Sequence, residues 1–322
     1  MALGAGALTE PFGSLAQQPP KKIPRIGFLS GRNIPTLAIP DQNADAFRQG
    51  LQDLGYIEGK NILIEYRYAE ARPDRIPNLV AELLQLQVDV IVSPYTAAIR
   101  VAKQATKTTP IVILTADDPV ATGIVDSLAR PGGNITGLTR LATELGGKQL
   151  ELLKEAVPGL SHVGLLVAGN SKERLNPYEA TARALKLTLQ ILDVQSPNPD
   201  LEEAFRNAVK ARVGALIVIR APLLISQRKL IADLLIKNRL PSIFAGSDFV
   251  EAGGLMSYAS NESESFKRAA NYVVKILKGA KPADLPVEQP VRFELHINMK
   301  TAKALGIKFP NSILLRAEKV VE

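Results

Sequence analysis

The chain repeats a plan. Val88-Asp89-Val90-Ile91-Val92-Ser93-Pro94 is an apolar run closed by a proline, a helical pattern follows to Thr106, and a second apolar run starts at Pro110 and ends at Asp117-Asp118. Further on, Ala215-Leu216-Ile217-Val218-Ile219-Arg220-Ala221-Pro222 leads through a helical pattern to Asn238 and then to Pro241-Ser242-Ile243-Phe244-Ala245-Gly246-Ser247-Asp248. Pro94 and Pro222 are 128 residues apart, Pro110 and Pro241 131, and Asp118 and Asp248 130. Strand, helix and strand in near-constant register, twice over, describe two similar α/β lobes. Two such lobes facing one another enclose a cleft, and a cleft points to binding.

The length agrees with two lobes: 322 residues exceed the roughly 100–200 typical of one domain, and a hydrophobic share of 46% fills two cores. No apolar run reaches the ~20 residues that cross a bilayer. The net charge of +7 arises from 39 basic and 32 acidic residues mixed along the chain. That is the pattern of a solvated surface, so no nucleic-acid partner is expected. The absence of cysteine excludes a disulfide framework, thiol catalysis and a lipid-bearing cysteine at a mature N-terminus. His162 and His296 do not stand at ligand spacing, and neither a metal site nor a cofactor is expected.

At the N-terminus, the apolar run Ala2 to Leu8 is followed by Ser14-Leu15-Ala16-Gln17-Gln18, a small-residue cleavage pattern, and by a Pro-rich spacer. Residues 1–24 thus read as the remnant of a secretory signal whose start lies upstream of Met1, plus a spacer; a disordered Gly/Ala tail is the alternative. Arg25 to Leu29 reads as a first strand, Asp41 to Leu54 as a helix with Ala46, Phe47, Gly50, Leu51 and Leu54 on one face, Ile62 to Tyr68 as a strand and Pro73 to Gln87 as a helix. A second lobe opens on its own strand, His162 to Val167, with Gly164 placed as Gly27 is in the first. Alternating strands and helices imply parallel sheets covered on both faces. The stretch Ala129-Arg130-Pro131-Gly132-Gly133-Asn134-Ile135-Thr136-Gly137-Leu138 forbids a continuing helix and marks a crossing between lobes. Further crossings near Gly253 and Pro282 would give lobe one as 25–138 plus 254–282 and lobe two as 139–253 plus 283–322. Three crossings make a hinge.

These segments carry a resemblance. RIGFLSG (Arg25 to Gly31), AFRQGLQDLGYIEGK (Ala46 to Lys60), AKQAT (Ala102 to Thr106), DPVATGIVDSLARPGGNITG (Asp118 to Gly137), GGLMSY (Gly253 to Tyr258) and ILKGAKPADLPVEQ (Ile276 to Gln289) resemble the type I periplasmic binding proteins, and among them ABC transporter substrate-binding proteins of the tryptophan/tyrosine-binding type. The resemblance implies two Rossmann-like lobes joined by three strands, closing over a small molecule in the periplasm and presenting it to an inner-membrane permease, as a monomer without catalytic residues. The chain itself shows no G-x-S-x-G, no phosphate-binding G-x-x-x-x-G-K and no H-E-x-x-H.

In such sheets ligands sit beyond the carboxyl ends of the strands, where backbone N–H groups and helix N-termini suit a carboxylate. The candidate ligand residues are Ser30, Ser93, Tyr95, Thr96, Ala116 and Asp117 in the first lobe and Asn170, Arg220, Pro222, Phe244 and Asp248 in the second. Ser30, Ser93 and Thr96 offer hydroxyls to an anion or serve as helix caps. Asp118 reads as the cap of a following helix, whereas Asp117 and Asp248 could each receive a ligand ammonium. Tyr95, Tyr178, Phe244 and Tyr258 are the aromatic residues nearest the cleft, for stacking on an aromatic ligand or for ordinary core packing.

Arg220 departs from the family pattern, in which this strand end more often carries a small residue followed by an acidic one. Its fork of donors either holds a ligand carboxylate in bidentate fashion or forms a surface salt bridge. The expected function is a solute-binding component of an ABC importer taking an aromatic amino acid or related acid. The alternative is a ligand-sensing module of a LacI-type regulator or sensor with the same fold, and an enzyme using the same cleft is a distant third.

Overall fold

The computed structural model describes residues 22–322 apart from 38, 116, 140, 141, 169–175, 196–198 and 291, and not the side chains of 142–144, 176 and 177. The signal-like segment falls almost wholly outside the described residues. In the first lobe come β1 (Arg25–Ser30), α1 (Gln42–Asp53), β2 (Leu63–Tyr68), α2 (Ile76–Gln85), β3 (Val90–Ser93), α3 (Thr96–Ala105), β4 (Ile111–Thr115) and β5 (Ile135–Thr139). The second contains α4 (Ala142–Ala156), β6 (His162–Ala168), α5 (Asn176–Ala184), β7 (Thr188–Val194), α6 (Leu201–Lys210), β8 (Ala215–Val218), α7 (Pro222–Ser226), α8 (Arg228–Lys237), β9 (Ser242–Phe244), α9 (Ser247–Glu251) and β10 (Met256–Ser260). The chain then returns to the first lobe as α10 (Glu262–Leu277) and ends in the second as β11 (Phe293–Asn298), α11 (Met299–Leu305), α12 (Asn311–Leu314) and β12 (Ala317–Val321).

The two sheets have one topology. Strand order is β2-β1-β3-β4-β5 in the first, and β12-β11-β10-β9-β8-β6-β7 in the second, whose last five strands follow the same order as the first sheet read in reverse. Pairing is parallel, as in Ile26↔Val90 and Ile91↔Ile111, except where β11 runs antiparallel to β10. The central strands are apolar on both faces because helices cover both, and each sheet separates two clusters of buried side chains.

Local chemistry accounts for the elements that frame the cleft. The Asp41 carboxylate accepts from the N–H groups of Asn43 and Ala44 and starts α1. The apolar stripe of α1 then packs on α10, with Phe28 5.7 Å from Phe47 and 6.1 Å from Phe266 between ring centroids. Gly50 makes that approach possible, since a Cβ there would stand 2.8 Å from the Lys267 Cα. The helix expected from Pro222 to Asn238 is instead two, α7 and α8, broken at Gln227, where the Ser226 hydroxyl bonds back to the Leu223 carbonyl.

The crossings differ from those expected. Ile135–Thr139 is a strand of the first sheet rather than only a connector, and Gly137, at φ +138, lies so near the Ile113 carbonyl that a Cβ would be 2.2 Å from it. The second passage falls after Ser260, not near Gly253, because β10 pairs with β9 and β11 in the second sheet. The glycines at 253 and 254 serve that lobe's core: a Cβ on Gly254 would meet the Phe244 ring at 2.4 Å. The third passage follows Glu288, which still bridges to Leu138 of the first lobe. Pro282 only shapes a turn within that lobe, where the Leu285 carbonyl accepts from Thr136.

Candidate functional site

The strand ends of the two lobes meet. On one side stand Ser30, Gly31 and Arg32 at the end of β1, Pro94, Tyr95 and Thr96 after β3, and Asn43 and Glu262 at the starts of α1 and α10; on the other stand Arg220, Ala221, Pro222 and Ile225. At Gly31 the lobes approach closely: a Cβ there would lie 2.7 Å from Pro222 of the facing lobe and 2.7 Å from the Tyr95 ring. Only a residue without a side chain lets Tyr95 and Pro222 share that space.

Around the start of α3 the first-lobe wall is neutral and rich in donors. α3 begins at Thr96, and its cap, Tyr95, supplies no side-chain bond to the helix N-terminus. The Thr96 hydroxyl sits 3.1 Å from that of Thr115, so two hydroxyls lie beside the positive end of the helix dipole. Ser93 has a different task. Buried to 1% exposure, its hydroxyl donates to the Leu29 carbonyl at 2.8 Å and accepts from the Tyr95 N–H at 3.2 Å, which fixes the turn rather than reaching the slot. Ser30 lines the slot and accepts from the Arg32 N–H.

The charges cluster around Arg220 and are drawn from both lobes. Arg220, 9% exposed, donates two parallel bonds to Asp248, at 2.6 and 3.2 Å, and a third, at 2.7 Å, to Glu262 of the other lobe. Arg32 approaches Glu262 at 3.4 Å and Asp248 at 3.9 Å. Asn43 adds a bond to Glu262 at 3.4 Å. Burial alone would raise the Asp248 carboxyl, but Arg220, aided by Arg32 and Arg228, holds it below the usual carboxylate range. Burial likewise works against the Arg220 cation, and Asp248 and Glu262 outweigh it, raising its pKa. Behind this cluster, toward the hinge, lies a polar cavity of about 320 Å³ walled by α9, β10, β11 and the start of α1. Among the described residues no group of three or more His, Asp or Glu is placed to hold a metal ion, and no helix is long and apolar enough to cross a membrane.

Residues 39–321 match the model of the ABC transporter substrate binding protein family. The chain belongs to that family. It is 25% identical over 303 residues to the tyrosine-binding protein of Clostridioides difficile, a match covering 89% of this chain and 82% of the relative. Among solved structures, an ABC domain from Streptococcus pneumoniae in complex with L-Trp is 27% identical, with a TM-score of 0.84 over 93% of this chain and 100% of that one. A ligand-free, open substrate-binding protein with adhesive properties from Clostridium difficile, 25% identical, superposes at 0.66 over 93% and 99%. At nearly equal identity, the arrangement of this chain is more like the L-Trp complex than the open protein.

Within this substrate-binding protein, the predicted site residues separate into groups. Tyr95, Thr96, Ser30, Arg220 and Pro222 line the slot. Asp248 lines the hinge-side cavity and is paired with Arg220 instead of standing ready for an ammonium. Phe244 is a correction: it is fully buried and stacked on Phe249 at 4.7 Å, so it belongs to the core. Tyr178 is also core, its hydroxyl donating to buried Gln149 at 2.9 Å, and Tyr258 packs against Phe293. The Asp117 N–H donates to Thr115, and its carbonyl accepts from Thr139, tying the ends of β4 and β5 together. Asp118 accepts from the Val120 and Ala121 N–H groups as a cap, but of a turn rather than a helix. Ala116 and Asn170 lie outside the described residues. The reading from sequence missed Arg32, Asn43 and Glu262. Glu262 could have been found had the second crossing been placed at Asn261, which caps α10 through a bond from the Glu264 N–H.

Proposed function

We propose that the protein is the periplasmic solute-binding component of an ABC importer, a monomer that closes its two lobes on a small carboxylate-bearing ligand, an aromatic amino acid or related aromatic or organic acid, and delivers it to an inner-membrane permease. The observation that carries this reading is the slot itself. The N-terminus of α3, which has no side-chain cap, and the Thr96 hydroxyl, backed by that of buried Thr115, offer bonds to a carboxylate. Tyr95 from one lobe and Pro222 with Ile225 from the other give the slot an apolar lining against which a ring can pack as the lobes adjust. The names of the relatives, a tyrosine-binding protein and an L-Trp complex, support an aromatic amino acid. The apolar run Ala2 to Leu8 and the cleavage-like segment after it support export.

Because Arg220 is engaged by two carboxylates, the ligand anion is assigned to the α3 wall rather than to Arg220. A thermal-shift screen over aromatic amino acids, phenylacetate, octanoate and the carboxylate-free analogue tryptamine tests this. The melting temperature rises with aromatic carboxylates and not with tryptamine. No rise with any carboxylate, or an equal rise with tryptamine, contradicts it.

A further inference from the structure

Four charges beside the slot belong to two lobes, and each has one opposite charge in its own lobe and one across the cleft, Arg32 having Asp41 of its own lobe in addition. Within its own lobe Arg220 holds Asp248 at 2.6 Å and Arg32 holds Glu262 at 3.4 Å. Across the lobes Arg220 holds Glu262 at 2.7 Å, and Arg32 faces Asp248 at 3.9 Å. All four side chains are at least three-quarters buried, from 8% exposure for Arg220 to 23% for Arg32. We infer that this crossed quartet is a closing latch, in which Arg220 and Glu262 draw the lobes together while the home pairs keep either lobe from stranding a charge when they part.

The argument rests on what opening does to each charge. Removing one partner from a buried ion pair is costly because the other is left uncompensated. Here opening removes only the crossed contacts, and each arginine keeps its own carboxylate as water enters. A latch of this kind is strong enough to bias closure and cheap enough to release. Both halves are held in place beforehand. On the second lobe, Gly246 runs so close that a Cβ would fall 1.9 Å from the Arg220 guanidinium, which confines that side chain to its position over Asp248. On the first lobe, Asn43 donates to the same Glu262 oxygen that Arg220 takes. The latch serves the closing cycle proposed above. A ligand gains affinity in proportion to the closed population it meets.

The chain has no cysteine, so Gln52→Cys on exposed α1 and Lys237→Cys on exposed α8 give two clean spin labels, one per lobe, for a distance measurement on the full chain with no solute added. The expected result is a dominant short distance in the parent. Glu262→Gln lowers the closed-to-open ratio about tenfold, while Glu264→Gln, an equal loss of charge in the same first turn of α10, changes it less than twofold. Arg220→Met added to Glu262→Gln opens the lobes no further than Glu262→Gln alone. Equal effects of the two glutamate substitutions, an additive double variant, or an open parent overturns the latch. Circular dichroism confirms that each variant is folded, and Glu262→Gln, which leaves the Arg220–Asp248 pair in place, decides the matter alone if Arg220→Met does not fold. Because no solute is present, failure of the latch is distinct from failure of the ligand assignment.

Discussion

The two lobes are the same scaffold used for opposite chemistry. Both place β3-type and β8-type strands beside their first strand, in the same relative order, and both turn at a proline, Pro94 or Pro222, into a helix facing the cleft. In the first lobe the turn is fixed by the Ser93 hydroxyl, and the start of α3 beyond it is neutral. In the second, the turn follows an arginine engaged with Asp248 and Glu262. The difference teaches that a repeated fold fixes where functional groups stand but leaves their roles to a few side chains. The start of α3 is suited to receive an anion, whereas Arg220 stands in a cluster of charges from both lobes that already satisfy one another.

The largest test of that contrast is Arg220→Met. It leaves Asp248 in a buried setting without its main partner and should cost about 3–5 kcal/mol in urea unfolding, most of it recovered by adding Asp248→Asn. The corresponding change to the neutral wall, Ser93→Ala, should cost only about 1 kcal/mol and leave ligand affinity unchanged. Next comes Gly31→Ala, whose Cβ cannot share space with Pro222 and Tyr95. It should weaken ligand binding roughly tenfold by keeping the lobes apart, about 1.4 kcal/mol, with an unfolding midpoint close to that of the parent. Thr96→Val should weaken binding of carboxylate ligands severalfold in calorimetry, with a stability change below about 1 kcal/mol, which separates its hydroxyl from that of Ser93.

The smallest effect expected is that of mild acid. Asp248 faces Arg220, Arg32 and Arg228, with Glu262 beside it and Glu251, Glu294 and His296 across the hinge-side cavity. Its pKa is depressed in the folded chain, so its stabilisation is fully present above the unfolded carboxylate value near ~3.9 and is lost as pH falls through the lower folded value. The Asp248 share of stability, followed by urea unfolding of the parent against Asp248→Asn, should therefore be flat from about pH 5 to 8 and decline only below about pH 4.

How much of this was legible in the sequence follows from where the signal lay. The paired strands around Val90 and Leu216 were readable because a sheet centre needs continuous apolar residues, and the α1 face because its burial has helical period. The strand Ile135–Thr139 was hidden by its glycines, which mark a close approach to Ile113 rather than a loop. The polar edge strand Ala317–Val321 has too few buried residues to show a period. Among site residues, Tyr95, Thr96 and Pro222 were legible because strand ends predict cleft positions. Phe244 was misread because a strand end adjoining the cleft can still point into the core, and Glu262 because its place depends on a crossing that only the pairing of β10 reveals.

The central claim is that the cleft between the lobes, lined by Tyr95, Thr96 and Pro222, closes on the ligand. Calorimetric titration of the parent and of Gly31→Ala with L-tryptophan and L-tyrosine tests it most directly. The account predicts one saturable site per chain for at least one of the two, weakened about tenfold in Gly31→Ala. No binding of either amino acid, or equal binding by the parent and the variant, would contradict it.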